Sequence, residues 1–336
     1  MRRIGDHLKK NTQIYVFLGI MALFTLITPN FTTMYTQSVV NTVLAYFIAA
    51  LGMNIMLGMG GQISFATCAF MGLGGYISAD LMKMGLPSPL TILCGLIVCG
   101  LFAFLFGLLM YRLAGYFATF ATLALAVTSY GIYNSFKPLT GGADGLINIP
   151  TLSFGPLTLT SMYSYFYLLA LACVLAAVFV ERLRKTSYGR SLAAVRDNEI
   201  AARTLGVNVY MTKILSFVMA GVLAGLAGII LAHQNRYLSA GTLTLDISNM
   251  FIIIAMLGGI RSTFGTLIGA LIVVLLPEVL RPIKEYIRMV YGFVIIILMV
   301  FMPMGLWGLL EMIGKSIRSR IWVRPEGRES RRGANS

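Results

Sequence analysis

Apolar runs of membrane-spanning length recur along almost the whole chain. They cover 13–28, 36–57, 62–82, 90–110, 116–136, 162–180, 212–232, 247–259, 264–280 and 288–305. A helix crossing a bilayer core needs about 20 such residues. In lipid, backbone polar groups find partners only within helices or closed barrels. The pattern predicts an all-α integral membrane protein, a polytopic bundle of about ten transmembrane helices with both termini inside. Some of these helices are expected to be short or broken. The 247–259 run is too short to span comfortably and reads as a broken or re-entrant helix. The 13–28 run follows Arg2, Arg3, Lys9 and Lys10 but ends at Thr28-Pro29-Asn30 without a small-x-small cleavage pattern, so it reads as a retained first helix. The domain plan is a cytoplasmic 1–12 segment, a transmembrane domain over 13–310 with a hydrophilic 181–213 insert, and a basic cytoplasmic tail over 311–336.

Composition agrees. Charged residues make up 11% of the 336, against roughly a quarter in an average soluble domain, and mean hydropathy is +0.83. The formal charge of +14 invites a nucleic-acid reading, but its distribution answers otherwise. With an even number of spans, 20 of the 26 basic residues fall on inside segments. Outside are Lys83, Lys137, Arg236, Arg281, Lys284 and Arg288. The charge is thus a topological signal with some attraction to anionic membrane lipid, and no nucleic-acid partner is expected.

Other chemistry lacks its reagents. Cys68, Cys94, Cys99 and Cys173 sit in apolar runs without metal-ligand spacing. His7 and His233 have no obvious nucleophile or carboxylate partner in sequence. Gly314-Lys315-Ser316 lacks the preceding glycine at phosphate-loop spacing. No chain of acids or histidines crosses the membrane to serve as a proton relay; Asp80 and Glu278 fall near outer span ends. No metal, no cofactor and no enzymatic activity are therefore expected of this chain.

Glycines supply the next signal. Gly221-x-x-x-Gly225 with Gly228, and Gly265-x-x-x-Gly269, place small residues on one helix face, where backbones can approach closely. The runs at 57–61 and 257–259 differ, because polar residues follow each: Gln62 and Ser64 in one, Arg261 and Ser262 in the other. These read as interrupted helices whose freed backbone groups face a cavity.

In the longest hydrophilic stretch, Glu181 to Lys213, Gly189 and Gly206 bracket a region dense in the helix formers Ala, Glu and Arg, which predicts a short helix ended by Gly206. Asp197 or Asn198 is its expected cap, and Glu199 and Arg203 an i,i+4 ion pair. A helix of about two turns does not persist alone in water. It docks either on its own protein or in a groove of a cytosolic partner.

The stretch from Thr186 to Asn208 (TSYGRSLAAVRDNEIAARTLGVN) resembles the cytoplasmic loop of LivM-type permeases of branched-chain amino acid ABC transporters. In order along the chain, LGMGGQISF (57–65), FATLA (120–124), LTGGADGL (139–146), LAGLAG (223–228) and GGIRSTFG (258–265) resemble further motifs of that family. Thr67 stands where many members have His, and Val127 where many have an acidic or amide residue.

The resemblance implies a permease subunit in the bacterial cytoplasmic membrane. Its implied partners are a second, LivH-like permease, two cytosolic ATPases that carry ATP and Mg, and an extracytoplasmic substrate-binding protein. The implied ATPase-coupling residues are Gly189, Arg190, Arg196, Asp197, Glu199, Ala202, Arg203 and Gly206. Candidates for lining the path are Gln62, Ser64, Thr119 and Thr122, with interhelical hydrogen bonding as their alternative role. Thr140, Gly141, Gly142 and Asp144 form the external loop, either facing the binding protein or simply making a turn. Urea or short amides are the alternative cargo, and an ATP-independent channel or secondary carrier the alternative mechanism.

Overall fold

The computed structural model describes residues 33–112, 117–155, 157–259 and 262–279, and single positions at 289, 292, 293 and 296. The expected 13–28 span, most of the 288–305 span, the 1–12 segment, the 311–336 tail, Arg261 and Gly314-Lys315-Ser316 lie outside the described residues.

Within them the architecture is helical. In chain order the helices are α1 (Met34–Met53), α2 (Thr67–Lys83), α3 (Ser88–Met110), α4 (Phe117–Ser135), α5 (Lys137–Thr140), α6 (Met162–Lys185), α7 (Ser187–Asp197), α8 (Glu199–Thr204), α9 (Val209–Asn235), α10 (Leu245–Gly258) and α11 (Thr263–Val279). Among the described residues, five segments are long and apolar enough to cross a membrane: Met34–Met59, Ser88–Met110, Met162–Lys185, Val209–Asn235 and Ala240–Gly258. The segment expected to be short gains length from a 3-10 turn, Ala240–Thr242, ahead of α10. α11, at 17 residues, is shorter but apolar. At one end of the bundle two small antiparallel sheets pair β1 (Leu146–Ile147) with β4 (Tyr237–Leu238), and β2 (Ser153–Phe154) with β3 (Leu157–Thr158).

α9 is the central helix and packs against α1, α2, α3 and α6. Its glycines make that possible. A Cβ on Gly228 would lie 2.1 Å from the Met71 carbonyl oxygen, so α2 and α9 touch backbone to backbone. Between α10 and α11, a Cβ on Gly258 would meet the Gly265 carbonyl oxygen at 2.4 Å. Lipid tails give apolar helices no hydrophobic reason to associate, so close van der Waals contact of this kind carries the packing. Leu93, Ile97, Leu101, Leu105 and Leu109 of α3 and Leu171, Leu175 and Phe179 of α6 point away from the bundle, as suits lipid-facing positions.

Both expected interruptions occur. α1 runs on through a π-helical turn, Asn54–Met59, and stops at Gly60; Gly61 has φ +65. Residues 61–65 are then non-helical, and α2 starts at Thr67 rather than near 62. α10 ends at Gly259 with φ +102, and α11 begins four residues later at Thr263. Only glycine takes such φ values without steric cost.

Candidate coupling site and transport path

The 181–213 insert folds on local capping chemistry. Thr186 Oγ1 accepts the Gly189 N–H at 3.2 Å and opens α7. Gly189 has no room for a side chain, since a Cβ there would lie 2.2 Å from the Leu183 carbonyl oxygen. The expected short helix, capped at Asn198 and ended by Gly206, is α8; α7 before it was not expected. Asn198, with φ −161, closes α7 and opens α8, because its Oδ1 accepts the N–H groups of Ile200 and Ala201, both at 3.0 Å. Capturing those two orphan donors is what a cap does, and Asp197 plays no part in it. Gly206 ends α8 with φ +82, as expected.

The expected Glu199–Arg203 pair does not form. Glu199 instead pairs with Lys213 in the second turn of α9. With α8 only six residues long and packed beside the start of α9, a tertiary partner outcompetes the weak i,i+4 pairing. Arg203 makes no ion pair among the described residues. Leu192, Val195 and Ala202 are buried against the protein, whereas Ile200 and Leu205 are 78% and 80% exposed. Tyr188 anchors α7 by donating to the Thr212 carbonyl at 2.8 Å, and burial pushes its phenol pKa up. Arg190 donates to the Lys185 carbonyl and to Ser187 Oγ, both at 3.0 Å.

Two arginines tie this insert to the interrupted helix. Arg196 donates from Nη1 to the Gly58 carbonyl at 2.9 Å, inside the π-helical turn. Its Cγ packs so closely on Gly61 that a Cβ there would lie 2.5 Å away, and Leu192 crowds Gly60 in the same way. The other guanidinium contact of Arg196 goes to its neighbour Asp197, at 2.9 Å. Arg184, at the base of α6, donates from Nη2 to Asn54 Oδ1 at 3.2 Å. A buried network continues from there. Asn54 Nδ2 donates to Thr266 Oγ1 at 2.7 Å, Thr263 Oγ1 donates to Glu181 Oε1 at 2.6 Å, and Glu181 pairs with Arg184 at 2.6 Å. The start of the π-helical turn, α6 and α11 are thereby joined through side chains. Asn54, Glu181, Arg184, Thr263 and Thr266 are absent from the sequence-based candidates. The signal for Asn54 was an amide within an otherwise apolar run, a costly placement that asks for a partner.

The four path candidates come together around the interruption. Gln62 Oε1 accepts from the Tyr111 hydroxyl, while its Nε2 is buried without a partner among the described residues. Ser64 is buried, and its Oγ accepts the Ala66 N–H at 3.2 Å. Thr122 Oγ1 accepts the Phe65 N–H at 3.1 Å, and Thr119 Oγ1 reaches the Ile63 carbonyl at 3.5 Å. α4 thus holds the non-helical 62–65 backbone through two hydroxyls. Thr67 is buried one position before Cys68, whose N–H donates to Ser248 Oγ of α10 at 3.0 Å. Val127 is exposed and lines a cavity of about 220 Å³ with Tyr130 and Asp246.

At the opposite end, Thr140 is buried and works structurally. Its hydroxyl is within reach of the Tyr133 and Phe136 carbonyls at 2.7 and 2.8 Å and accepts the Gly142 N–H at 3.2 Å. Gly141, Gly142 and Gly145 all have positive φ. A Cβ on Gly141 would strike the Gly145 carbonyl oxygen at 2.2 Å, so this loop is a compact turn that presents Ala143 and Asp144 outward. Glu278 accepts from the Tyr35 hydroxyl.

Interrupted apolar helices with polar side chains at the breaks, and a folded hydrophilic insert braced against one break, are the features a membrane transport permease needs. A family model described as "Branched-chain amino acid transport system / permease component" matches residues 35–303, and the chain belongs to that family of ABC permeases. The permease protein LivM of the high-affinity branched-chain amino acid transport system of Escherichia coli K12 is 26% identical over 87% of this chain and 74% of its own length. The ribose import permease protein RbsC of Haemophilus influenzae is 25% identical over 89% and 94%. The galactofuranose transporter permease protein YtfT of Escherichia coli K12 is 26% identical over 78% and 79%. No solved structure matches. The chain is an inner-membrane transport component, and permeases of this family work with partner ATPases and a binding protein.

Proposed function

We propose that this chain is the permease subunit of an ABC importer for branched-chain, hydrophobic amino acids, moved by alternating access. Partner ATPases dock on residues 187–206, with Gly189, Arg190, Arg196, Asp197, Glu199, Ala202, Arg203 and Gly206 forming or shaping the docking surface. The observation that carries the reading is the Arg196–Gly58 contact. A surface segment with two exposed apolar side chains, Ile200 and Leu205, is bonded through one arginine to a broken membrane helix. Pushing on the segment moves the break, and with it the Gln62, Ser64, Thr119 and Thr122 cluster. Rigid-body rocking of helices packed backbone to backbone is the form that motion takes. ATP and Mg stay on the partners.

The topology of this reading is about ten spans with both termini inside. Its support is the segregation of contacts: residues 58–62, 111, 184–196, 213 and 263 gather at one end of the bundle, and 83, 144–158 and 236–238 at the other. A second, LivH-like permease supplies the other wall of the path.

For the cargo, the family description and the LivM relative favour branched-chain amino acids. A sugar is the second reading, favoured by the ribose and galactofuranose permeases at similar identity. Uptake of labelled leucine and labelled ribose into vesicles holding the reconstituted complex, with and without ATP, separates the two. ATP-dependent leucine uptake that unlabelled ribose leaves unchanged is expected; ribose uptake without leucine uptake contradicts the cargo reading.

A further inference from the structure

Far from the coupling site, α9 ends in an unusual way. Arg236 closes it in the left-handed conformation, with φ 52. Helices that end like this usually do so on Gly or Asn, since most side chains crowd the following carbonyl oxygen there. Asn148, with φ 54, is the other non-glycine residue of this kind among the described residues. The two are clasped side by side. Ile149 N–H donates to the Arg236 carbonyl at 3.2 Å, next to the Ile147–Tyr237 pair of β1 and β4. Both line one open cavity of about 650 Å³, together with Gly85, Thr151, Ser153 and Thr158.

The lining has a one-sided chemistry. Arg236 is its only ionisable residue among those described, and no carboxylate faces it. Arg236 makes no ion pair among the described residues. The same lining includes an amide residue, Asn148, and two hydroxyl residues, Thr151 and Thr158. A planar fork of donors with neutral donors beside it matches a carboxylate, which accepts two parallel N–H bonds. A residue that breaks the local backbone rule marks a place where function outweighs local preference.

We infer that this cavity is a carboxylate-binding site with Arg236 as its anchor. The inference rests on the importer reading for its location. α9 has 27 residues, about 40 Å of helix, so the cavity lies across the membrane from the coupling segment, on the side where cargo arrives. The carboxylate belongs either to the free amino acid or to an acidic side chain of the binding protein.

The test uses the complete transporter in nanodiscs. Arg236 is modified with phenylglyoxal, and its rate of modification is read by peptide mapping alone, with leucine, with leucinamide, and with the leucine-loaded binding protein. Severalfold protection by leucine but not leucinamide assigns the site to the free substrate. Protection by the loaded binding protein alone, with a rise of about tenfold in its half-saturating concentration for Arg236→Asn, assigns it to a protein carboxylate. Asn tolerates the left-handed backbone and so removes only the charge and fork; Arg236→Lys restores the charge alone and should recover part of the loss. Equal modification under all conditions, equal protection by leucine and leucinamide, or an unchanged half-saturation in Arg236→Asn where only the binding protein protects, overturns the inference. Wild-type ATP-dependent uptake is measured in the same preparation. Its presence keeps failure of this site distinct from failure of the importer reading.

Discussion

Replacing Arg196 with Ala should separate ATP hydrolysis from transport. The substitution removes the 2.9 Å bond to the Gly58 carbonyl and the methylene packing on Gly61, and leaves the caps at Thr186 and Asn198 untouched. A hydrogen bond from a charged group is worth about 1.5–3 kcal/mol net. The Arg196 side chain is about a quarter exposed, so the lower end applies. About 1.5 kcal/mol corresponds to roughly tenfold in an equilibrium. The ratio of leucine imported to ATP hydrolysed should therefore fall about tenfold in reconstituted vesicles. Complex yield and ATPase activity should stay near wild type. Asp197→Asn serves as the control. It removes the same arginine's other partner, an ion pair whose acid is 66% exposed and thus worth about 0–1 kcal/mol; a weaker docking of the ATPases would lower hydrolysis and import together, so the ratio itself should stay near wild type. A variant that imports at the normal ratio, or one in which hydrolysis, yield and uptake all fall together, refutes the link between insert and helix break.

Further outcomes test other parts of the account. Gly228→Ala should lower the thermal midpoint of the purified complex, since the new methyl overlaps the Met71 carbonyl oxygen; overpacking of this kind costs about 1–3 kcal/mol. An unchanged melt would mean that α2 and α9 are less tightly joined than described. Ile200→Asp with Leu205→Asp should cut co-purification of the ATPases severalfold while membrane insertion, followed by fractionation, stays normal. A cysteine engineered at Ala143 should react with a membrane-impermeant maleimide in intact cells; labelling only after permeabilisation would invert the proposed topology.

Much of the fold was legible because lipid simplifies the sequence code. Apolar run length marked the five described segments able to cross a membrane, and the glycine pairs at 60–61 and 258–259 marked the interruptions, since only glycine takes φ +65 or +102 freely. What escaped was non-local. The bonds from Arg196 to Gly58 and from Asn54 to Thr266 join residues separated by 138 and 212 positions, and no periodicity encodes them. Glu181 was read as the first residue of a solvated stretch, whereas α6 continues to Lys185 and carries Glu181 inward as the acceptor for Thr263 and Arg184. The Glu199–Arg203 expectation failed on competition: both residues lie in α8, but Lys213, fourteen positions on in α9, takes the Glu199 carboxylate, and no local spacing rule encodes that partner. The path candidates were found by residue type. Their convergence depends on the 62–65 segment leaving the helix and lying against α4, which composition alone does not encode.

Leucine accumulation in sealed vesicles measures the central claim most directly. The chain is reconstituted either alone or with its second permease, ATPases and binding protein, and labelled leucine is followed with and without internal ATP. The complete complex with ATP should concentrate leucine, and the chain alone should remain at background. Equal leucine flux through the chain by itself, indifferent to ATP and to its partners, would contradict the account.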